Sequence, residues 1–444
     1  MARLGQIAAQ FASNIDRYFD AAQRRLGGRF GVRPIRIVAY RGYGTREALY
    51  LKGRVLEDNG IRPASENDTL WDNLVNMIKR FTSREVPGAR VLARFDGLER
   101  EVTADREGFF EVWIEPHRPL PADVLWHRIG LELLAPRFAG GAPVRATGEV
   151  YVPPPGAQYG VISDIDDTVI RTSATDWLRM MRIVFLGNAH TRLPFEGVAA
   201  FYRALHAGVS GAARNPLLYV SSSAWNLYDV LCEFFQLHAI PIGPVLFLRD
   251  WGLTVDRLVS SGHRSHKLKT IRKMLDLYAD LSFILIGDSG QEDPEIYYEL
   301  IGLYPKRILA VYIRNVSRGL KRPEAIRALA EKVVAAGSTL ILADNTVPLA
   351  EHAAAQGWIS PAALPEIRFE KKADEAAPTP IEQVLGEAKK AEGPTVVVEG
   401  PTPAVTESAV ESGAIEKALE VGDSKTEKPP TVIVEGKDEA QVEK

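Results

Sequence analysis

The spacing of apolar residues changes period along the chain, and each period predicts a different kind of element. Over residues 2–26, Leu4, Ile7, Phe11, Ile15, Tyr18, Phe19, Ala22 and Leu26 recur at helical spacing, with Arg3, Arg17, Arg24 and Arg25 between them. This is the pattern of an amphipathic helix, and residues 1–30 are read as that segment. Such a helix packs on its own domain or lies on a membrane with its arginines toward anionic headgroups. From residue 31 to 152 the period shortens. Arg36–Tyr43, Glu47–Val55, Arg90–Phe95, Gly108–Glu115 and Gly148–Val152 partly alternate and are rich in β-branched and aromatic residues. Asp96-Gly97 is a hairpin turn signal. One helix is expected to interrupt these strands, with Ser65 to Asp68 as its cap region and Leu70, Leu74, Met77 and Ile78 on one face. The expectation is a β-rich, sandwich-like domain with a structural or binding role.

Pro153-Pro154-Pro155-Gly156 can continue neither a helix nor a strand and marks a boundary. From residue 157 to 360, apolar strands alternate with helical stretches. The strands are Gly160–Ser163, Leu217–Ser221, Val245–Leu248, Phe283–Ile286, Ile308–Ile313 and Leu340–Leu342. The helices lie around 195–207, 225–238, 265–278, 294–302 and 323–336. The pattern predicts an α/β domain with a parallel sheet and helices on both faces. In such domains the site lies beyond the carboxyl ends of the strands. Residues 366–444 have no aromatic residue after Phe369 and are dominated by Pro, Glu, Lys, Ala and Thr. They are expected to form a disordered acidic tail.

Composition narrows the class. A chain of 444 residues suggests two or three domains. Hydrophobic residues at 46% and charged residues at 25% exclude whole-chain disorder, collagen and coiled coil. A single cysteine, Cys232, excludes an internal disulfide framework and a Cys-rich zinc site, and fits a cytoplasmic location. No apolar run approaches the ~18 residues of a membrane span, and MARLGQIAAQFASN lacks the continuous apolar core of a secretory signal. The net charge of −3 argues against nucleic acid as a partner. That charge is uneven. Residues 1–54 carry 11 Arg/Lys against 3 Asp/Glu, whereas residues 366–444 carry 10 against 18. The tail also repeats a phrase, PTVVVEG at 394–400 and PTVIVEG at 430–436. Two copies are too few for a solenoid, and they read either as spacer or as strands offered to a protein partner.

Four segments of the α/β region carry chemistry. The first strand runs into VISDIDDTVIRT, placing Asp164, Asp166, Asp167 and Thr168 at its end. Like charges packed together are costly unless a cation neutralises them, and Mg²⁺ is the hard dication that carboxylate oxygens suit. The competing reading is an Asp-rich turn capping the next helix. The second strand ends in Ser221, Ser222 and Ser223, either phosphate-holding hydroxyls or helix caps. Lys267 opens a later helix and offers a compact positive charge to a phosphoryl oxygen or to solvent. The fourth strand leads into Gly287 and Asp288, with Asp293 five residues on and Pro294 beside it at a helix start.

Taken together, the order D-x-D-x-T, Ser, Lys, G-D-x-x-x-x-D resembles the haloacid dehalogenase superfamily of phosphohydrolases. GVISDIDDTV, YVSSSAWNLYD and ILIGDSGQEDPEIY are similar to the phosphatidate phosphatase catalytic domain of the actin-patch-associated type. The resemblance implies a Rossmann-like sheet of the haloacid dehalogenase type. It implies Asp164 as nucleophile, forming an aspartyl-phosphate, and Asp166 as acid and then base. It further implies Mg²⁺ held by Asp164, the Asp166 carbonyl and Asp288, with Asp293 beside them. Ser221 or Ser222 would bind the phosphoryl oxygens, and Lys267 would offset charge. Asp167 gets no chemical task.

The substrate is read from what surrounds these motifs. Neither Val169–Pro216 nor Ala224–His266 has room for a large cap, so an open site facing a large surface is expected. TDWLRMMRIVFLGNA is apolar nearly throughout, as a buried core helix or as a flap touching acyl chains. Arg171, Arg249, Arg264 and Arg314 either reach a phosphate or pair with local carboxylates. The leading expectation is phosphatidate hydrolysed to diacylglycerol and phosphate by an enzyme at the membrane periphery. The rivals are the same chemistry on a soluble phosphomonoester or phosphoprotein, and a catalytically silent binding protein recruited to membrane.

Overall fold

The computed structural model describes residues 34–58, 60, 84–136, 142–165, 168–169, 195–249, 263–317, 321–376 and 432–434. The amphipathic segment 2–26, the helix expected over 65–78 and the apolar segment after Thr168 lie outside them.

The period-two stretches form a sheet of eight strands, antiparallel apart from one parallel pair between β2 and β8. They are β1 (Ile35–Ala39), β2 (Gly42–Gly44), β3 (Leu49–Glu57), β4 (Arg90–Phe95), β5 (Leu98–Thr103), β6 (Phe109–Ile114), β7 (Trp126–Ala135) and β8 (Arg145–Tyr151). The order is β1-β3-β2-β8-β7-β4-β5, with β6 pairing β3. Residues from β3 and β6 share one core with residues from β4, β7 and β8, so the sheet encloses its own interior. The Asp96-Gly97 turn joins β4 to β5, with φ of 46° and 78° at its two residues. Both values are positive, as a two-residue hairpin turn of the primed type requires.

β3 is buried on both faces, and its alternation sorts them. Leu49, Leu51 and Val55 point into the sheet's own core, while Tyr50 packs into a core of the second domain. β6 does the same. Phe110, Val112 and Ile114 face inward, and Phe109 joins the second domain's other core. Each such side chain contributes about 1.5–3 kcal/mol when fully buried.

The second domain is a parallel sheet in the order β11-β10-β9-β12-β13-β14, closed at one edge by an antiparallel strand, β15 (Val432–Val434). Its strands are β9 (Gly160–Asp164), β10 (Leu217–Ala224), β11 (Val245–Arg249), β12 (Phe283–Asp288), β13 (Ile308–Arg314) and β14 (Leu340–Ala343). The helices are α1 (Val198–Ala207), α2 (Tyr228–Leu237), α3 (His263–Leu277), α4 (Asp293–Leu303), α5 (Lys321–Ala335), α6 (Thr346–Ala355) and α7 (Leu364–Ala376). Alternate strand residues feed two cores. α1, α2, α6 and α7 contribute to one, α3, α4 and α5 to the other. The chain builds outward from β9 in one direction and then crosses back to build in the other. The carboxyl end of β9, between β10 and β12, is therefore the switch point of the sheet, where a crevice opens.

Folded structure runs past Glu366, where the sequence pattern places the start of a disordered tail. α7 continues to Ala376, with Ile367 buried, and three tail residues add β15 to the sheet. The acidic residues that look like tail composition are partners of α1. Among the described residues no helix is long and apolar enough to cross a membrane.

Candidate active site

β9 is an entirely buried strand that ends on Asp164. Its register fixes the neighbours. Val220 of β10 lies opposite Asp164, so Ser221 follows one residue further on that side. Ile286 of β12 lies opposite Ser163, so Gly287 and Asp288 follow on the other. Asp164, Ser221 and Asp288 are thus brought to the switch point by strand pairing, and all three are buried.

Two helix starts complete the group. Lys267, in the second turn of α3, donates from Nζ to Asp164 Oδ1 at 2.6 Å and also to Asp293 Oδ1. Asp293 begins α4, with Pro294 and Glu295 in the same first turn, which suits a carboxylate at the positive end of the helix. Asp293 Oδ2 accepts from the Asp288 backbone N–H at 3.3 Å. Gly287 makes this approach possible, because a Cβ there would lie 2.3 Å from Asp293 Oδ2. Asp288 is aimed by its own loop: Oδ1 accepts from the N–H of Gly290 at 2.6 Å and of Gln291 at 3.0 Å, and Oδ2 from Gln291 Nε2 at 3.3 Å.

The electrostatics follow from burial. Lys267 would be pushed down by loss of water, but the carboxylates of Asp164 and Asp293 outweigh this by charge and hydrogen bonding and hold it above its usual range. It is a fixed cation. One carboxylate oxygen from each of Asp164, Asp288 and Asp293 lies within 4.8 Å of the others. Three carboxylates thus crowd one buried space, two of them paired with Lys267. A buried donor set made of carboxylate oxygens suits a hard divalent cation.

Two tyrosines outside the sequence reading support the strand ends. Tyr202 of α1 shares a 2.6 Å hydrogen bond with Ser163 Oγ, which in turn donates to the Asp164 carbonyl at 2.7 Å. Tyr297 of α4 donates to the Ile286 carbonyl at 2.9 Å. Burial, and after it the charges of Asp293, Asp164 and Asp288, raise the Tyr297 phenol far above its usual range, so it remains a neutral donor. Both tyrosines, and Gln291, act through contacts that sequence spacing does not show. The one available signal for Gln291 is its place inside the G-D-x-x-x-x-D phrase.

Asp164, Lys267, Asp288 and Asp293 therefore converge, with Ser221 on the adjoining strand. Asp166, Asp167 and Arg171 lie outside the described residues, as do the side chains of Ser222 and Arg249. Arg314 and Arg264 make local ion pairs. Arg314, buried over the Phe195 ring at 3.6 Å, has Nη1 3.5 Å from Glu196 Oε2. Arg264 Nη2 lies 3.1 Å from Glu299 Oε2 at the surface.

Comparison with known proteins adds a family. Residues 159–315 match the model of the family described as Phosphatidate phosphatase APP1, catalytic domain. The chain is 30% identical over 255 residues to Phosphatidate phosphatase APP1 of Saccharomyces cerevisiae, covering 56% of this chain and 42% of that protein. It is 31% identical over 159 residues to the uncharacterized protein C29B5.04c of Schizosaccharomyces pombe, covering 35% of this chain and 25% of that one. The chain thus spans less than half the length of these curated relatives. Among solved structures, a carbohydrate acetylesterase from Xanthomonas citri superposes over 66% of this chain and 71% of its own, at 13% identity and a TM-score of 0.21, too low to carry an argument. The resemblance read from the motifs to the phosphatidate phosphatase catalytic domain is met over residues 159–315.

Proposed function

We propose that the protein is a Mg²⁺-dependent phosphatidate phosphatase of the haloacid dehalogenase type, acting through an aspartyl-phosphate. The supporting observation is the convergence of Asp164, Lys267, Asp288 and Asp293 at the switch point of the sheet, inside the segment that matches the phosphatidate phosphatase family. The strand order, with β9 central and β10, β11 and then β12, β13, β14 built to either side, agrees with the Rossmann-like sheet this class uses.

In this reading Asp164 Oδ attacks phosphorus, and the bond from phosphorus to the glycerol oxygen breaks. Asp166, two residues past the nucleophile, gives its proton to the leaving oxygen and then takes one from water. That water attacks phosphorus and frees Asp164, releasing inorganic phosphate. Lys267 balances the negative charge of nucleophile and phosphoryl group throughout. Ser221 holds a phosphoryl oxygen. Asp164, Asp288 and Asp293, with the Asp166 carbonyl, would hold the metal, which when bound neutralises charge on the transferring group. Action on a lipid puts the protein at a cytoplasmic membrane surface, with residues 2–26 as its contact.

The test is phosphate release from phosphatidate in detergent micelles, with Mg²⁺ and with EDTA. Release should require the metal and fall at least about 10³-fold in Asp164→Asn. Equal release with EDTA, or an active Asp164→Asn, defeats the proposal. A higher kcat/KM on water-soluble phosphomonoesters than on phosphatidate moves the substrate and keeps the chemistry.

A further inference from the structure

We infer that the β-rich domain is part of the catalytic unit, because it positions the bulged end of β10 that follows Ser221. The inference rests on the phosphatase reading for what this strand end binds, but not for how it is held. β10 pairs in register with β11 through Ser221 and then shifts before Ala224. Ser221 still pairs with Phe247, but the residues between it and Ala224 leave the regular register, so pairing to β11 sets Ser221 and leaves the bulge that follows to be held by its packing. Trp225, which begins the short 3₁₀ turn before α2, is the first large buried side chain after the shift.

Its packing comes from the other domain. The ring of Tyr40, just past β1, lies 4.2 Å from the Trp225 ring, and the ring of Phe109 in β6 lies 6.1 Å away. Lys52 of β3 sets its Nζ 5.1 Å from the Trp225 ring and 4.7 Å from that of Phe109. The start of α2 is held from the same side. Tyr40 meets Tyr228 edge-on at 4.9 Å, the Arg41 backbone N–H donates to Tyr228 Oη at 2.8 Å, and Arg41 Nη1 donates to Cys232 Sγ at 3.2 Å. A second clasp lies beside it, where Lys273 of α3 sits 4.6 Å from the ring of Tyr50 and 5.8 Å from that of Trp113.

Aromatic pairs stabilise beyond their area burial, and partly buried cation–π contacts add to that. These contacts join a domain without catalytic residues to the turn that follows the phosphate-binding strand. Tyr40, Lys52 and Phe109 are positioning residues that act through Trp225 on the bulge next to Ser221. A displacement of about 1 Å at such a site is enough for a large loss of binding or rate.

The experiment uses the full chain and two readouts: amide hydrogen exchange across residues 217–228, and the affinity for inorganic phosphate in the presence of Mg²⁺. In Tyr40→Ala, exchange at 221–225 should accelerate about tenfold while β9 and β12 keep their protection. The phosphate Kd should rise about tenfold. Tyr40→Phe keeps the ring and should restore both. If Tyr40→Ala does not fold, Lys52→Met gives the same result more weakly, with exchange about two- to threefold faster. Unchanged exchange at 221–225 in the folded variants overturns the inference. A wild-type protein that neither binds nor releases phosphate defeats the phosphatase reading, and the exchange data still decide whether the β-rich domain holds the bulge.

Discussion

Gly287 shows how one residue type carries geometry for a whole site. It sits between the apolar run of β12 and Asp288, where Asp293 must fold back from the start of α4. An added Cβ would meet Asp293 Oδ2 at 2.3 Å and the Asp293 Cβ at 2.8 Å. Neither contact can be tolerated without moving the carboxylate that pairs with Lys267 and accepts from the Asp288 N–H. Gly287→Ala should therefore destabilise the fold by about 1–3 kcal/mol, as overpacking does. It should also weaken divalent-cation binding at least about tenfold by moving a ligand. Urea denaturation and titration calorimetry with Mg²⁺ read the two effects. Normal cation affinity in the folded variant would mean that Asp293 is not needed at the metal.

At the scale of elements, what the sequence revealed depended on how local its signals are. The strands of the parallel sheet are short apolar runs bounded by turns, and the observed limits agree with those read from the sequence to within a few residues. β7 carries no clear strand signal in the sequence. Its inward positions include His127, while its ends expose Trp126 and Leu134 in part, which blurs the alternation. α7 was hidden more deeply. Its residues Glu366, Glu370 and Asp374 look like an acidic tail, but they serve α1. Asp374 accepts from the Gly197 N–H and Glu370 from the Ala200 N–H, each at 2.8 Å, and Arg203 pairs with both glutamates. Gly197 has no side chain with which to cap α1, so the cap comes from about 170 residues away. No local pattern can show that. The candidate site was legible for the opposite reason, since each of its residues ends a strand or starts a helix. If α7 is structural, Ile367→Ala should cost about 2–4 kcal/mol by urea denaturation, because Ile367 is 1% exposed in the core under α1. A loss below about 0.5 kcal/mol, typical of a surface change, would show that the fold ends before it.

At the scale of the whole molecule, the site is a source of instability that a bound ion would relieve. Asp164, Asp288 and Asp293 are buried side by side, and Lys267 pairs with two of them. The folded state thus holds three like-charged groups close together away from water, while the unfolded chain exposes the same groups to solvent. Mg²⁺ at about 100 times its Kd should add about 2.7 kcal/mol by mass action. For a fold of this size, that is a rise in Tm of roughly 5–10 °C. Asp288→Asn separates stability from function. The amide keeps an oxygen that can accept from the Gly290 and Gln291 N–H groups, yet removes one buried charge. In EDTA the variant should melt at or above the wild-type temperature, and Mg²⁺ should move its Tm by less than about 1 °C. Removing a carboxylate of the proposed site would then stabilise the protein, the trade expected of an active site that holds like charges together. A wild-type Tm indifferent to Mg²⁺, or an Asp288→Asn protein that melts well below wild type in EDTA, would mean that the acidic cluster is balanced by the protein alone.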